Sequence, residues 1–186
     1  RMQVLVTGAT GFAGSHLIDQ LLADGHLVFG LVHPASGHLP WPNHERFSPI
    51  QGDLLDLESL RSAFNIAEPH QVYHLAGQAS PGLSWRDPAG TIAVNTGGTV
   101  NLLEASRMFG HPRVLIVTSA HIYGKVYPEQ LPLSEATIPA PRDPYAVSKW
   151  AAALLAPVYW QRYELPVIEA RPFNHIGPRQ APGFVV

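Results

Sequence analysis

Tyr145 and Lys149 stand four residues apart, just after Asp143-Pro144. A carboxylate that can cap and a proline at the first helical position predict a helix from residue 144 to about residue 163, and residues four apart on a helix share a face. A phenol of pKa about 10 is a poor base at neutral pH. A neighbouring ammonium and an oxidised nicotinamide ring both favour phenolate, and a depression of roughly 2–4 units would bring it into working range. Such a phenolate takes the proton from an alcohol while hydride leaves the same carbon; in reverse it protonates a ketone. Y-x-x-x-K by itself is common, and an aromatic packed on a solvent-facing lysine stem is the plain alternative. Ser119, at the carboxyl end of an earlier strand-like run, adds to the pattern, because its hydroxyl can bond the reacting oxygen and steady the tyrosine.

Hydride chemistry needs a dinucleotide, and residues 7–14 offer a place for one. Thr7-Gly8-Ala9-Thr10-Gly11-Phe12-Ala13-Gly14 links a short apolar run to an amphipathic one. Gly8 allows a tight turn, Gly11 lets backbone approach a diphosphate, and Gly14 lets helix and strand pack closely. The helix start then presents unpaired N–H groups and its positive dipole end to phosphate. The glycines fall at 8, 11 and 14, not in a G-x-G-x-x-G register.

These groups need elements to hold them. Residues 3–7, 26–32, 46–51, 71–75, 114–119 and 166–171 read as strands; residues 12–24, a segment from about Asp56, residues 87–108 and residues 144–163 read as helices. Their alternation implies parallel pairing through right-handed crossovers, hence an α/β doubly wound (Rossmann) sheet with ligands at the carboxyl ends of its strands. Two features break local rules. Gly97-Gly98 lies inside a predicted helix, as either a loose spot or a close approach, for instance to a partner helix. Pro157 is expected to kink the last helix.

The bulk numbers exclude several classes. The chain has 186 residues, 46% hydrophobic and 14% charged, with net charge −2 and no cysteine. Scattered basic residues give no case for nucleic acid. No apolar run is long enough to span a membrane, and the start lacks the pattern of an export signal, which points to the cytoplasm. Arg1 before Met2 reads as a cloning remnant. His33, His38 and His44 share a proline-rich loop but lack a completing carboxylate or cysteine, so no metal is expected. The four tryptophans are expected to pack.

Seven segments resemble the successive signatures of the extended short-chain dehydrogenase/reductase family, which holds nucleotide-sugar epimerases, 4,6-dehydratases and 4-keto reductases. They are residues 7–14, Gly52-Asp53-Leu54, His74-Leu75-Ala76-Gly77, Asn95-x-x-Gly98-Thr99-x-Asn101, Ser119-x-x-x-Tyr123-Gly124, Tyr145-x-x-Ser148-Lys149 and Arg171-Pro172-Phe173-Asn174-His175-x-Gly177-Pro178. The stretches 74–85 and 171–180 look most like the branch acting on GDP-mannose derivatives. The resemblance implies Ser119, Tyr145 and Lys149 as the catalytic set. It implies a cofactor groove of Gly8, Thr10, Gly11, Phe12, Ala13, Gly14, His33, Leu75, Ala76 and Gly77, with Asp53 and Leu54 at adenine, Tyr145 and Lys149 at the nicotinamide, and Pro172 near it. Ser80, His121 and Asn174 are implied on the substrate side.

Three departures shape the expectation. Where the family's dehydratases carry a glutamate two residues past the catalytic Ser/Thr, His121 stands here, a base or a simple pocket lining, so 4-keto reduction or epimerisation is favoured over dehydration. Where an NAD-specific member places an aspartate at the end of the second strand, this chain has His33, which tilts the expectation to NADP without excluding NAD. The chain ends far short of the family's usual length, so residues 1–172 read as the dinucleotide-binding domain and 173–186 as the start of a truncated substrate-binding region. The resemblance also implies a homodimer through the two long helices, close-packed at Gly97, Gly98 and the alanines at 151–153. A non-catalytic dinucleotide-binding module and a steroid or flavonoid ketone reductase are the other readings.

Overall fold

The structure is a computed structural model that describes residues 1–36 and 44–180. Six strands form one sheet: β1 (Gln3–Thr7), β2 (Leu27–Val32), β3 (Phe47–Gln51), β4 (Gln71–His74), β5 (Arg113–Val117) and β6 (Val167–Ala170). All pair in parallel, in the order β3-β2-β1-β4-β5-β6. The order reverses between β1 and β4, which opens a crevice at their carboxyl ends.

The helices are α1 (Phe12–Ala23), α2 (Leu57–Ala67), α3 (Pro81–Arg86), α4 (Pro88–Ile92), α5 (Gly98–Met108) and α6 (Pro144–Tyr163). Helices cover both faces of the sheet, and Val4, Leu5 and Val6 of β1 are fully buried. One core gathers Leu5, Leu60, Phe64, Leu102, Leu103, Ile116 and Tyr159; the other gathers Val4, Val6, Ile18, Leu21 and Val28 beneath α1. The Tyr159 hydroxyl donates to Glu104 at 2.8 Å and ties α6 to α5.

Several sequence expectations need correction. The helix expected over 87–108 starts at Pro88, but a π-helical turn over Ala93–Gly97 divides it into α4 and α5. Within the chain, the close approach at Gly97-Gly98 belongs to Gly98. A Cβ there would meet Leu54 Cβ at 2.9 Å, while Gly97 faces open space. Ala152 and Ala153 are buried within the chain's own fold. Trp85 and Trp160 are 66% and 56% exposed rather than packed. Trp150 lies under the Arg171 guanidinium, 5.5 Å from its ring centre. Trp41 and His38 lie outside the described residues. α6 runs through Pro157 as a single helix. Among the described residues no cluster of metal-ligating side chains occurs, and no helix is long and apolar enough to cross a membrane.

Candidate active site

Strand β1 delivers the chain into the glycine turn. Gly8 takes a φ of +71°, and a Cβ on it would lie 2.7 Å from the Ala76 nitrogen, so the turn packs directly on the loop leaving β4. Gly14 is closed in the same way: a Cβ would lie 2.1 Å from the Gly8 carbonyl oxygen. Its small size thus serves contact with the loop itself. Asp56, Ser80, Asp87 and Asp143 cap α2, α3, α4 and α6 with their side chains. α1 starts at Gly11 with no side-chain cap. Its first-turn donors are left to an incoming acceptor, and a diphosphate fits that donor set. Thr10, Gly11 and Ala13 are exposed on this rim, and Phe12 and Gly8 are half-buried.

At the far end of β2, His33 Nε2 lies 3.6 Å from an Asp53 carboxylate oxygen. A carboxylate from the loop after β3 thus stands beside the end of the second strand. Leu54 turns inward: its side chain is 8% exposed, it packs on Gly98, and its carbonyl accepts from Asn101 Nδ2 at 2.8 Å. Leu75 and Ala76 are half-buried along the crevice beside exposed Gly77.

A polar spine crosses beneath the crevice. The Thr99 hydroxyl donates to the Asn95 carbonyl at 2.6 Å, so it accepts the Nε2–H of buried His74 at 3.1 Å. His74 Nδ1 then accepts from Thr7 Oγ1 at 2.7 Å, and Thr7 accepts from the Ala76 N–H at 3.1 Å. These partners assign the neutral Nε2–H tautomer. Burial, with the Lys149 ammonium nearby, lowers the His74 pKa to about 3. Asn95 continues the spine. Its Oδ1 accepts from the Gln78 N–H at 2.8 Å, and its Nδ2 donates to the Gln78 carbonyl at 3.0 Å and to Ser148 Oγ at 2.9 Å. The Ser148 hydroxyl donates to the Tyr145 carbonyl at 2.7 Å. Asn95, Thr99 and Asn101 were visible in the sequence only as a motif; their role lies in joining β1, β4 and the loop after β3 to α6.

Asp143 Oδ1 accepts from the Ala146 N–H at 2.7 Å and fixes the start of α6. Tyr145 and Lys149 face inward, each 8% exposed, so the solvent-facing lysine is excluded. Lys149 Nζ donates to the Val117 carbonyl at 3.1 Å and would lie 3.4 Å from a Cβ on Gly77. Burial lowers its pKa to about 8. Ser119 lies two residues past the end of β5; its hydroxyl accepts from the His121 N–H at 3.1 Å, and its side chain favours the Tyr145 phenolate. The expected acidic phenol is not found in this state. Burial raises the Tyr145 pKa, the Asp143 carboxylate adds to the rise, and the Ser119 hydrogen bond opposes it. Burial acts on the charged form at once, whereas the cationic cofactor ring that would counter it is external to the chain.

On the outer side of Tyr145, His121 meets its ring edge-on at 5.8 Å and lies 3.9 Å from an Asp143 carboxylate oxygen. Ser80 is spent as the cap of α3, accepting from the Leu83 N–H at 3.2 Å. The Pro172 carbonyl accepts from the Ala120 N–H at 3.0 Å. Asn174 is exposed in the segment beyond it.

The family model described as GDP-mannose 4,6 dehydratase matches residues 5–186. GDP-6-deoxy-D-mannose reductase from Pseudomonas aeruginosa is 39% identical over 99% of this chain and 56% of its own length. UDP-glucose 4-epimerase of Thermus thermophilus, solved in complex with NAD, is 39% identical with a TM-score of 0.88 over 97% of this chain and 58% of that one. RMD from Pseudomonas aeruginosa, solved with NADPH, is 38% identical with a TM-score of 0.81 over 99% and 57%. The chain thus spans a little over half the length of these relatives. It belongs to the GDP-mannose 4,6-dehydratase family of extended short-chain dehydrogenases, an NAD(P)-dependent group of nucleotide-sugar epimerases, dehydratases and reductases.

Proposed function

We propose that this chain is the cofactor-binding part of an oxidoreductase that reduces a 4-keto group or epimerises a carbinol on a nucleotide-linked hexose, with GDP the favoured nucleotide. The observation that carries the reading is the burial of Tyr145 and Lys149 side by side on the inward face of α6, with the Lys149 ammonium held on the Val117 carbonyl, at the crevice where α1 starts uncapped. Residues 1–172 act as the dinucleotide-binding domain, and the segment from residue 173 starts the substrate side.

The dinucleotide, when bound, supplies or accepts the hydride. Ser119 holds the substrate oxygen against Tyr145. For reduction, Tyr145 gives its proton to that oxygen, and its raised proton affinity keeps it loaded beforehand. For oxidation it must first lose that proton, and Lys149, charged below about pH 8, supports the phenolate that forms. The glycine turn and the first turn of α1 hold the diphosphate, and Asp53 with His33 lines the adenosine end. Asn174 and His121 face the sugar.

A second reading, dehydration, is favoured by one contact. His121 lies next to the Asp143 carboxylate and the Tyr145 ring, where a second proton-moving group would act. Homodimerisation is supported by an exposed apolar stripe on α6, Val147, Leu154 and Val158; elution as a monomer at micromolar concentration would contradict it.

The test titrates NADH and NADPH, with and without GDP- and UDP-hexoses, against this chain and a longer form. Both should bind cofactor, and only the longer one should bind the sugar nucleotide tightly. A chain that ignores both reduced cofactors overturns the reading.

A further inference from the structure

The chain leaving β6 does not stay beside its strand. Its Pro172 carbonyl is held at the turn after β5. His175 stacks on Phe12 with ring centres 5.7 Å apart, and a Cβ on Gly177 would touch the Phe12 ring at 3.1 Å. The segment then reaches His16 and Asp19 on α1. β6 and β1 are separated by β4 and β5 in the sheet. Residues 172–179 therefore span the carboxyl ends of the strands that flank the crevice and finish on the helix whose first turn faces it.

The anchor is a three-residue cluster. His16 Nε2 bonds the Pro178 carbonyl at 2.9 Å, and an Arg179 guanidinium nitrogen lies 2.8 Å from His16 Nδ1 and 2.8 Å from an Asp19 carboxylate oxygen. A carbonyl only accepts and a guanidinium only donates, so Nε2 carries the hydrogen and Nδ1 is bare. A doubly protonated ring cannot keep the Arg179 bond and sets one cation against another. The titratable and charged groups around His16 are Asp19 on its own helix and Arg179 and His175 on the segment.

We propose that Arg179, His16 and Asp19 form a latch that holds residues 172–179 across the mouth of the dinucleotide groove and governs how fast cofactor leaves it. The latch is positioning machinery, not chemistry. It is exposed, so its grip is weak. The proposal rests on the dinucleotide reading above.

Stopped-flow fluorescence of bound NADH gives the release rate for the wild type, Arg179→Ala, His16→Phe and the double variant. Each variant should release NADH about two- to fivefold faster than the wild type, and the double variant no faster than the singles. Equal release rates in all four proteins overturn the latch. Should the wild type bind neither NADH nor NADPH, the cofactor reading fails by itself. Nitrogen NMR of the His16 ring then decides the latch: one Nε2–H tautomer, lost on Arg179→Ala, supports it, and a freely exchanging ring rejects it.

Discussion

The polar groups of this chain fall into two regions built on opposite terms. Beneath the crevice, Thr7, His74, Thr99, Asn95, Ser148 and Lys149 are all buried, and each has its hydrogen-bond partners in place. At its rim, His33 with Asp53 and His16 with Arg179 and Asp19 are open to solvent. A buried polar group without its partner costs far more than an exposed one. The interior spine therefore admits one geometry, which fixes where Ser119, Tyr145 and Lys149 stand. The rim can exchange partners with water at little cost, and rim pairs suit steps in which a ligand comes and goes.

The sharpest break between the regions is expected in activity. With a competent sugar nucleotide and a full-length form, Tyr145→Phe should lower turnover by about 10²–10⁴ while leaving cofactor affinity within a few fold. Steady-state rates and NADH titration check both halves.

Asn95→Leu attacks the spine itself. It strands the Gln78 N–H and carbonyl and leaves the Ser148 hydroxyl only its bond to the Tyr145 carbonyl, and should cost about 2–4 kcal/mol in denaturant unfolding, far more than any single rim change.

His74 gives the spine a pH signature. Its folded pKa, about 3, lies below the ordinary 6.5, so the unfolded chain binds the extra proton. Its contribution is fully present above about pH 6.5 and is lost as pH falls towards 3, with a slope approaching about 1.4 kcal/mol per pH unit. His74→Gln should flatten the stability curve across that window, and an unchanged slope would show that the ring is not buried neutral.

The smallest effect belongs to the rim. Asp53→Asn removes a carboxylate beside His33 and should shift preference towards NADPH over NADH by about two- to fivefold, read from the two dissociation constants.

The sequence carried the backbone plan because its signals are local. The capping carboxylates at Asp56, Asp87 and Asp143 and the glycine turn depend only on near neighbours, and those helix starts fall within a residue of expectation. Helix α3 was missed although Ser80-Pro81 repeats the capped-proline signal, because six residues are too few to show a period. The π turn at Ala93–Gly97 and the seat of Leu54 against Gly98 are tertiary and leave no local mark. The proton affinity of Tyr145 shows the same limit. Spacing put an ammonium on its face of the helix, but only the fold reveals that the phenol is buried and that burial raises its proton affinity.

The decisive measurement is a spectroscopic titration of the tyrosine side chains, comparing wild type with Tyr145→Phe to isolate residue 145, with and without saturating NAD⁺, and repeating it in Lys149→Met. The phenol should titrate above its ordinary value in the free chain, drop by about 2–4 units when the oxidised cofactor binds, and drop less without the lysine. A phenol whose titration ignores both NAD⁺ and Lys149 would contradict the assignment of proton transfer to this group.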